Sequence, residues 1–330
     1  MILSNDTIMK PPYNITDKIL HLITQIATQL GEINATHLHK PSTELRKQNR
    51  VKTIQASLEI EGNTLNTEQI TALLENKRVI GPKKDILEVR NAIDIYDSIT
   101  TFEPTSLQDF LDAHGMLMND LIADAGELRK KSVGIVKGKE IASRGLGTPP
   151  AENLRFLIQD LFDYLKNDAA PILIKSCVVH YELEFIHPFM DGNGRMGRFW
   201  QTLILMQEYP IFEFLPFETI IKKRQEDYYT VLSICDKQGN STVFIEFMLE
   251  AINEALQESL QFQNRIFTQK DRIDYFTKTF KKKEFTRKDY CAIFKTISSA
   301  TASRDLKYGV DNQLIEKIGD KRNTKYTVVR

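Results

Sequence analysis

Apolar residues recur every three to four positions along most of this chain. Between Lys18 and Ile33 they fall at Ile19, Leu22, Ile23, Ile26 and Leu30, the period of an amphipathic helix. The same pattern predicts a helix over Thr43–Ile60, with Gly62 placed to end it. More helices are predicted over Thr67–Asn76, Asp85–Ile99 and Ser106–Ile122, the last opening on Ser106 as an N-cap with Asp109 three residues on. Ala151–Asn167 and Pro171–Ile186 follow. The second of these is apolar almost throughout, which predicts a central helix buried on all sides. Arg195–Tyr209, Gln225–Asp236 and Ser241–Ile266 complete a helical body. One segment breaks the period. Lys131–Arg144, "KSVGIVKGKEIASR", is β-branched around "KGK" and predicts a short hairpin or extended flap. Gly145–Pro150, "GLGTPP", then forces a loop.

The last sixty or so residues follow a different pattern. Asp271–Phe280, Thr286–Phe294 and Ser298–Ile315 predict three short helices, and Ile315–Val329 predicts two strands around a polar turn. Three helices and a hairpin describe a winged helix, with Ser299–Gly309 as its recognition-type helix and Lys321, Arg322 and Lys325 in the wing. DNA binding is one reading of such a module. Packing or dimerisation is the other, because the helix offers few base-reading side chains beyond Arg304 and Lys307.

Charge sharpens that division. The whole chain of 330 residues balances 44 Lys and Arg against 44 Asp and Glu. Residues 265–330 hold 17 of the basic and 8 of the acidic residues, a surplus of nine positive charges, and the remainder is acidic by the same amount. A basic tail on an acidic body suggests a separate task for the tail, and a solvated surface is the plainer account. Cys177, Cys235 and Cys291 form no CxxC pair, which argues against a disulfide frame or zinc knuckle and for a reducing compartment. The N-terminal "MILSNDTIMKPPYN" lacks the apolar run of a signal peptide, and no stretch approaches membrane-span length. The expectation is a cytoplasmic protein with no membrane partner.

The densest chemistry lies in "HPFMDGNGRMGR", His187–Arg198. Gly192, Gly194 and Gly197 let the backbone approach a ligand closely, and the segment joins one apolar helix to the start of the next. Backbone N–H groups in a glycine-rich turn at a helix N-terminus bind phosphate. Arg195 and Arg198 lie three apart on one helix face, and two guanidinium forks beside an anion hole suit a polyphosphate. Asp191, beside phosphates, most naturally holds Mg²⁺. His187 is an imidazole, the side chain whose ordinary range brackets neutral pH, and is the natural general base. His180, on an apolar helix, reads as a core histidine, and His114 forms no constellation in the sequence.

The segment satisfies every fixed position of HPFx(D/E)GNGRxxR, the motif of the Fic family, which this chain resembles. "AGELRKKSVGIV" is similar to the family's stretch before its flap, "TPP" to its Pro-containing loop, and "DYYTVLS" to the helix that closes over adenine. The resemblance implies transfer of AMP from ATP to a Ser, Thr or Tyr hydroxyl of a target protein. His187 would deprotonate the hydroxyl and Asp191 would hold Mg²⁺. Gly192, Asn193 and Gly194 would form the anion hole, with Met196 and Gly197 in the same phosphate-binding segment. Arg195 would hold the distal phosphates and Arg198 the γ-phosphate. Tyr228 and Asp236 would lie near the adenine, although the family often has Asn where Asp236 stands. The target would pair with a flap over Ser132–Ala142. A second stretch, "SLEIEGN" (Ser57–Asn63), fits the family's inhibitory pattern (S/T)xxxE(G/N), so Glu61 would pair with Arg198 and hold the enzyme back.

The expected architecture is therefore all-α: a Fic-fold helical bundle with a β-hairpin flap and a C-terminal winged helix. Residues 1–100 would carry the inhibitory motif, 101–264 the catalytic domain and 265–330 the winged helix. The expected function is an autoinhibited protein adenylyltransferase using ATP and Mg²⁺, with self-modification, a homodimer and DNA binding through 265–330 as further partner expectations. Two alternatives stand beside it. The same site would remove AMP if Glu61 oriented a water. The body would instead serve a DNA-binding regulator if it only sensed nucleotide.

Overall fold

The computed structural model describes residues 10–35, 43–131, 135–137, 140–142, 148–264, 269–280, 284–294, 297–319 and 324–328. The chain divides into two units, Met1–Pro41 with Leu45–Leu260 and Gln261–Arg330 with Ser42–Glu44.

The first unit is built on α1 (Asp17–Ala35), α2 (Thr43–Ile60), α3 (Thr67–Leu74), α4 (Lys83–Asp97), α5 (Leu107–Leu117), α6 (Leu154–Asn167), α7 (Ile172–Ile186), α8 (Asn193–Met206), α9 (Glu218–Lys223), α10 (Gln225–Gln238) and α11 (Thr242–Asn264). The apolar stripe of α1 is buried at Ile19, Leu22, Ile26, Leu30 and Ile33. α2 has the bounds its periodicity predicts and stops at Gly62, whose φ of +92° is open to glycine at little cost. There Asn63 N–H donates back to Leu58 O at 3.1 Å, satisfying a carbonyl of the last turn. Ser106 caps α5, its Oγ accepting from the Asp109 N–H at 3.2 Å. α7 buries residues on every side, as its apolar sequence requires, and packs along α8, which is equally enclosed. These two helices run into and out of the His187–Gly192 turn and fix its position. α1 to α4 share one hydrophobic core with the helices that follow.

Between α5 and α6 two short strands, β1 (Ile135–Lys137) and β2 (Glu140–Ala142), pair antiparallel with Ile135 opposite Ala142. Of the expected flap, residues 132–134 and 138–139 lie outside the described residues.

The second unit contains α12 (Gln269–Thr279), β3 (Glu284–Phe285), α13 (Arg287–Ile293), α14 (Ser299–Asp311), β4 (Ile315–Ile318) and β5 (Lys325–Val328), with sheet order β3-β5-β4, all antiparallel. The residue pattern alone does not predict β3. It has only two residues, and Phe285 enters the sheet because its ring is buried against Phe276 and Tyr326. This unit has its own core of Ile273, Phe276, Phe285, Tyr290, Phe294, Ala302, Leu306 and Ile315. A bidentate pair from Arg272 to the buried Asp305, at 2.6 and 2.8 Å, ties α12 to α14. Lys321 and Arg322 lie outside the described residues, and Lys325 pairs with Glu284 at 2.8 Å.

Candidate active site

The turn between α7 and α8 is held in shape by its own side chains. His187 ends α7 in the left-handed conformation, φ +50°, which costs a residue with a Cβ roughly 1–2 kcal/mol. The Asn193 carboxamide closes the turn. Its Nδ2 donates to Phe189 O and its Oδ1 accepts from Phe189 N–H, each at 2.9 Å. The side chain expected to help bind anion is thus engaged in shaping the turn, and the N-terminal amides of α8 are left as the anion-facing groups. Gly192 sits at φ +84°, and a Cβ there would meet Met118 Sδ at 2.7 Å, so both backbone and space require glycine.

The floor of the turn is His114 from α5. Its ring stacks on Phe189 with centroids 3.6 Å apart. Nδ1 accepts from the Gly126 N–H at 2.9 Å, so Nε2 carries the proton and donates to Asp191 O at 3.0 Å. Burial first, and Arg195 nearby, lower the imidazole to about 4, so the ring is neutral at physiological pH.

Three carboxylates and two guanidinium groups then line the start of α8. Asp191 is half-exposed, and its Oδ1 accepts from Gly192 N–H at 2.6 Å and from Arg195 Nη2 at 3.1 Å. Arg195 also reaches the buried Glu88 of α4 at 3.4 Å. Glu88 in turn accepts from Asn63 Nδ2 at 2.8 Å. Arg198 is fully buried. Its Nε donates to Ser57 Oγ at 3.0 Å, and its Nη2 donates to Ser57 O at 2.9 Å and Glu61 Oε1 at 2.7 Å. Burial alone would lower the guanidinium's affinity for its proton, but the Glu61 carboxylate holds it above the ordinary arginine range. Glu61 stands a third exposed at the tip of α2, so close to α8 that a Cβ on Gly194 would lie 2.5 Å from its Oε1. The residues expected to face phosphates and the residues expected to oppose them therefore meet at one helix end.

A crystal structure of a Fic family protein from Desulfovibrio desulfuricans superposes with a TM-score of 0.75 at 38% identity, covering 97% of this chain and 98% of that one. The chain belongs to the Fic family. The profile described as Fic/DOC family matches residues 104–205, which enclose the turn. Relatives named protein adenylyltransferase extend the likeness. The Caenorhabditis elegans protein is 29% identical over 214 residues, covering 60% of this chain and 39% of that protein. The Drosophila willistoni protein is 27% identical over 235 residues, covering 66% and 44% respectively. This chain thus spans about two-fifths of the length of these curated relatives.

Within this Fic core the structure adds residues that the motif does not contain. Arg129, His114 and Glu88 reach the turn from other helices or loops. Glu184 of α7 accepts from the Tyr228 hydroxyl at 3.2 Å, beside the buried His180. Tyr228 and Asp236, the expected adenine neighbours, are both 1% exposed, and the Asp236 carboxylate accepts from Tyr181 at 3.1 Å. Tyr229 is the partly exposed tyrosine of α10, and its hydroxyl lies 3.5 Å from Ile60 O at the end of α2. No single sequence spacing links these positions to the turn, so no local signal marks them. Among the described residues no three His, Cys, Asp or Glu side chains converge into a metal cage, and no helix is long and apolar enough to cross a membrane.

Proposed function

We propose that this chain moves AMP from ATP to a hydroxyl of a target protein and that Glu61 restrains it. The observation that carries the reading is the Glu61–Arg198 pair at 2.7 Å, beside the α8 amides and His187. An arginine enclosed on a helix face at an anion-binding end would otherwise receive a phosphate.

The reaction follows from the arrangement. ATP lays its phosphates along the N-terminus of α8. The Gly192 N–H is engaged by Asp191, so the Asn193 and Gly194 amides take the α-phosphate oxygens, with Arg195 and Arg198 on the distal phosphates. His187 takes the proton of the incoming hydroxyl. The hydroxyl oxygen bonds the α-phosphorus, the bond to the β-phosphate bridging oxygen breaks, and pyrophosphate leaves with both electrons of that bond. Catalysis is then positioning plus charge stabilisation. The half-exposed Asp191 carboxylate fits Mg²⁺, which typically takes one or two protein carboxylates and fills its shell with water and phosphate oxygens. There it would compensate phosphate charge. The β1–β2 hairpin offers a target segment strand-like pairing. Adenine contacts fall to the α10 side. Tyr228 and Asp236 shape it from within, and Tyr229 presents the accessible ring.

Glu61 opposes this by occupying the Arg198 position that a γ-phosphate needs and by repelling that phosphate. The test is a Glu61→Gly variant incubated with each labelled nucleotide and cell lysate, then mass spectrometry. AMP on a protein hydroxyl, from ATP and above wild type, is expected. No labelled protein with any nucleotide sinks the reading, and removal of AMP from a modified target by wild type reverses its direction.

The second unit supports a second reading. Arg287, Lys288, Arg304 and Lys307 are all exposed on α13 and α14, a basic face suited to a nucleic-acid backbone. Salt-sensitive binding of duplex DNA by the full chain, lost on replacing these four by Glu, is expected if the unit is a DNA-binding winged helix. Binding unaffected by those changes removes this reading.

A further inference from the structure

Arg129 gathers the His187 side of the turn and the chain on both sides of the hairpin segment onto one guanidinium. It is 2% exposed, a position where an arginine needs every donor matched. Its hydrogen bonds go to backbone carbonyls. Nε donates to His187 O at 2.7 Å, and Nη2 donates to Pro149 O at 2.6 Å and Ile186 O at 3.3 Å. Nη1 donates to Lys131 O at 3.0 Å, and the Arg129 backbone N–H donates to Pro188 O at 2.9 Å. Lys131 lies four residues before β1 and Pro149 seven residues after β2. Ile186, His187 and Pro188 are the end of α7 and the first turn residues beyond it.

Two physical points give this cluster a purpose beyond filling space. The last carbonyls of a helix lack intrahelical donors and carry the negative end of its dipole, so a cation there is matched to them. The His187 backbone is also in a left-handed conformation that its Cβ disfavours, and the carbonyl bonded by Nε is that of this residue. Holding Ile186 O and His187 O together fixes the backbone on both sides of the His187 Cα, and so the direction of the Cα–Cβ bond that carries the imidazole. Holding Lys131 O and Pro149 O with the same planar group anchors the chain on either side of the hairpin segment.

The geometry points to Arg129 as a positioning residue that registers the proposed base, His187, against the strand pair proposed to hold the target. The inference rests on the transfer reading above. Each of the five bonds goes to backbone outside the 192–198 phosphate segment. Arg129 therefore acts on alignment of the hydroxyl and its base, and nucleotide binding is left alone.

The test uses full-length Arg129→Lys and Arg129→Ala, each combined with Glu61→Gly. Lys keeps the stem and the charge but lacks the planar fork that meets four carbonyls. AMP transfer at saturating ATP should fall about a hundredfold, the scale of a misplacement near 1 Å, while the ATP dissociation constant shifts by less than about threefold. Added guanidinium ion should restore part of the lost rate in Arg129→Ala and none in the parent. Independently of any transfer, amide hydrogen exchange across Ile135–Lys137 and Glu140–Ala142 should accelerate in Arg129→Lys, with α6 and α11 unchanged. Full transfer rate in Arg129→Lys, or unchanged exchange in the hairpin, overturns the inference, as does a loss of ATP binding that matches the loss of rate. If the Glu61→Gly parent itself transfers nothing, the transfer reading fails, and the exchange measurement still decides whether Arg129 ties the hairpin to the turn.

Discussion

The two ends of the His187–Arg198 segment are held in different ways. At the His187 end the contacts are to backbone, from Arg129 to carbonyls and from Asn193 to Phe189, and no ligand has to break them. At the Arg198 end the contacts come from α2, through Ser57 and Glu61, and the Glu61 carboxylate is a third exposed. A carboxylate on an arginine is chemically close to a phosphate on the same arginine, so under the proposed function a substrate phosphate would exchange with that hold. On the proposed function, the base would be built in, and the arginine proposed for the distal phosphate is held by a carboxylate of the same sign of charge as that phosphate. Regulation at one end would then need no disturbance of the chemistry at the other.

The most severe way to break this contrast is at the built-in end. His187→Ala should reduce transfer by at least about 10²–10⁴-fold, the usual contribution of a positioned base, while ATP still binds. Isothermal titration beside a labelling assay checks both. Near-normal labelling would remove His187 from the mechanism.

At the exchangeable end the sign reverses. Glu61→Gly should raise transfer about 10–100-fold, since a charge-assisted bond contributes roughly 1.5–3 kcal/mol to the restrained state. Adding Arg198→Ala should return the rate to wild type or below, because the freed guanidinium is the agent of the gain. A double variant that keeps the gain would show the restraint to act elsewhere.

Ser57→Ala should give the same sign and a smaller size. It removes the acceptor for Arg198 Nε but leaves Ser57 O and Glu61, so a gain of about 2–10-fold is expected from a bond of roughly 0.5–1.5 kcal/mol. Initial-rate labelling against wild type measures it, and a loss of activity would mean that Ser57 supports the active state instead.

Acid probes the floor under the built-in end. His114 is held neutral, lowered from its ordinary 6.5 to about 4 by burial and by Arg195, with the Asp191 carbonyl and the charges of Asp191 and Asp124 pulling the other way. The depressed value means that the unfolded chain takes a proton first. Its contribution to stability is therefore complete above pH 6.5 and declines as pH falls toward 4. Between pH 6.5 and 5.5 the decline from this one ring is about 1 kcal/mol. Urea melts at the two pH values measure it, and His114→Gln should flatten the slope.

Much of the fold and the core of the site are legible in the amino-acid sequence itself. The turn can be read because its polar residues are contiguous, twelve residues with a histidine, a carboxylate, glycines and two arginines. α2 can be read because Gly62 punctuates a clear period. The hairpin can be read from β-branched residues around "KGK". What escapes is whatever the fold assembles from a distance. Arg129 meets His187 across 58 positions and His114 meets Asp191 across 77, and neither carries a local pattern. His114 shows no constellation in the sequence for that reason. The burial of Tyr228 and partial exposure of Tyr229 likewise depend on how α10 is rotated against α7, and their adjacent positions in sequence do not reveal it.

The end of α2 works as a ruler with coarse divisions. Ser57 and Glu61 stand four residues apart, about one turn, and so present their oxygens to one guanidinium at the pitch of the helix. Such a ruler cannot be adjusted by small amounts. One residue inserted between them turns Glu61 by about 100° and advances it about 1.5 Å, which puts the carboxylate out of phase with Arg198. Length changes in α2 therefore behave as steps, and the grip on Arg198 can be weakened gradually only by changing the side chains that stand on it.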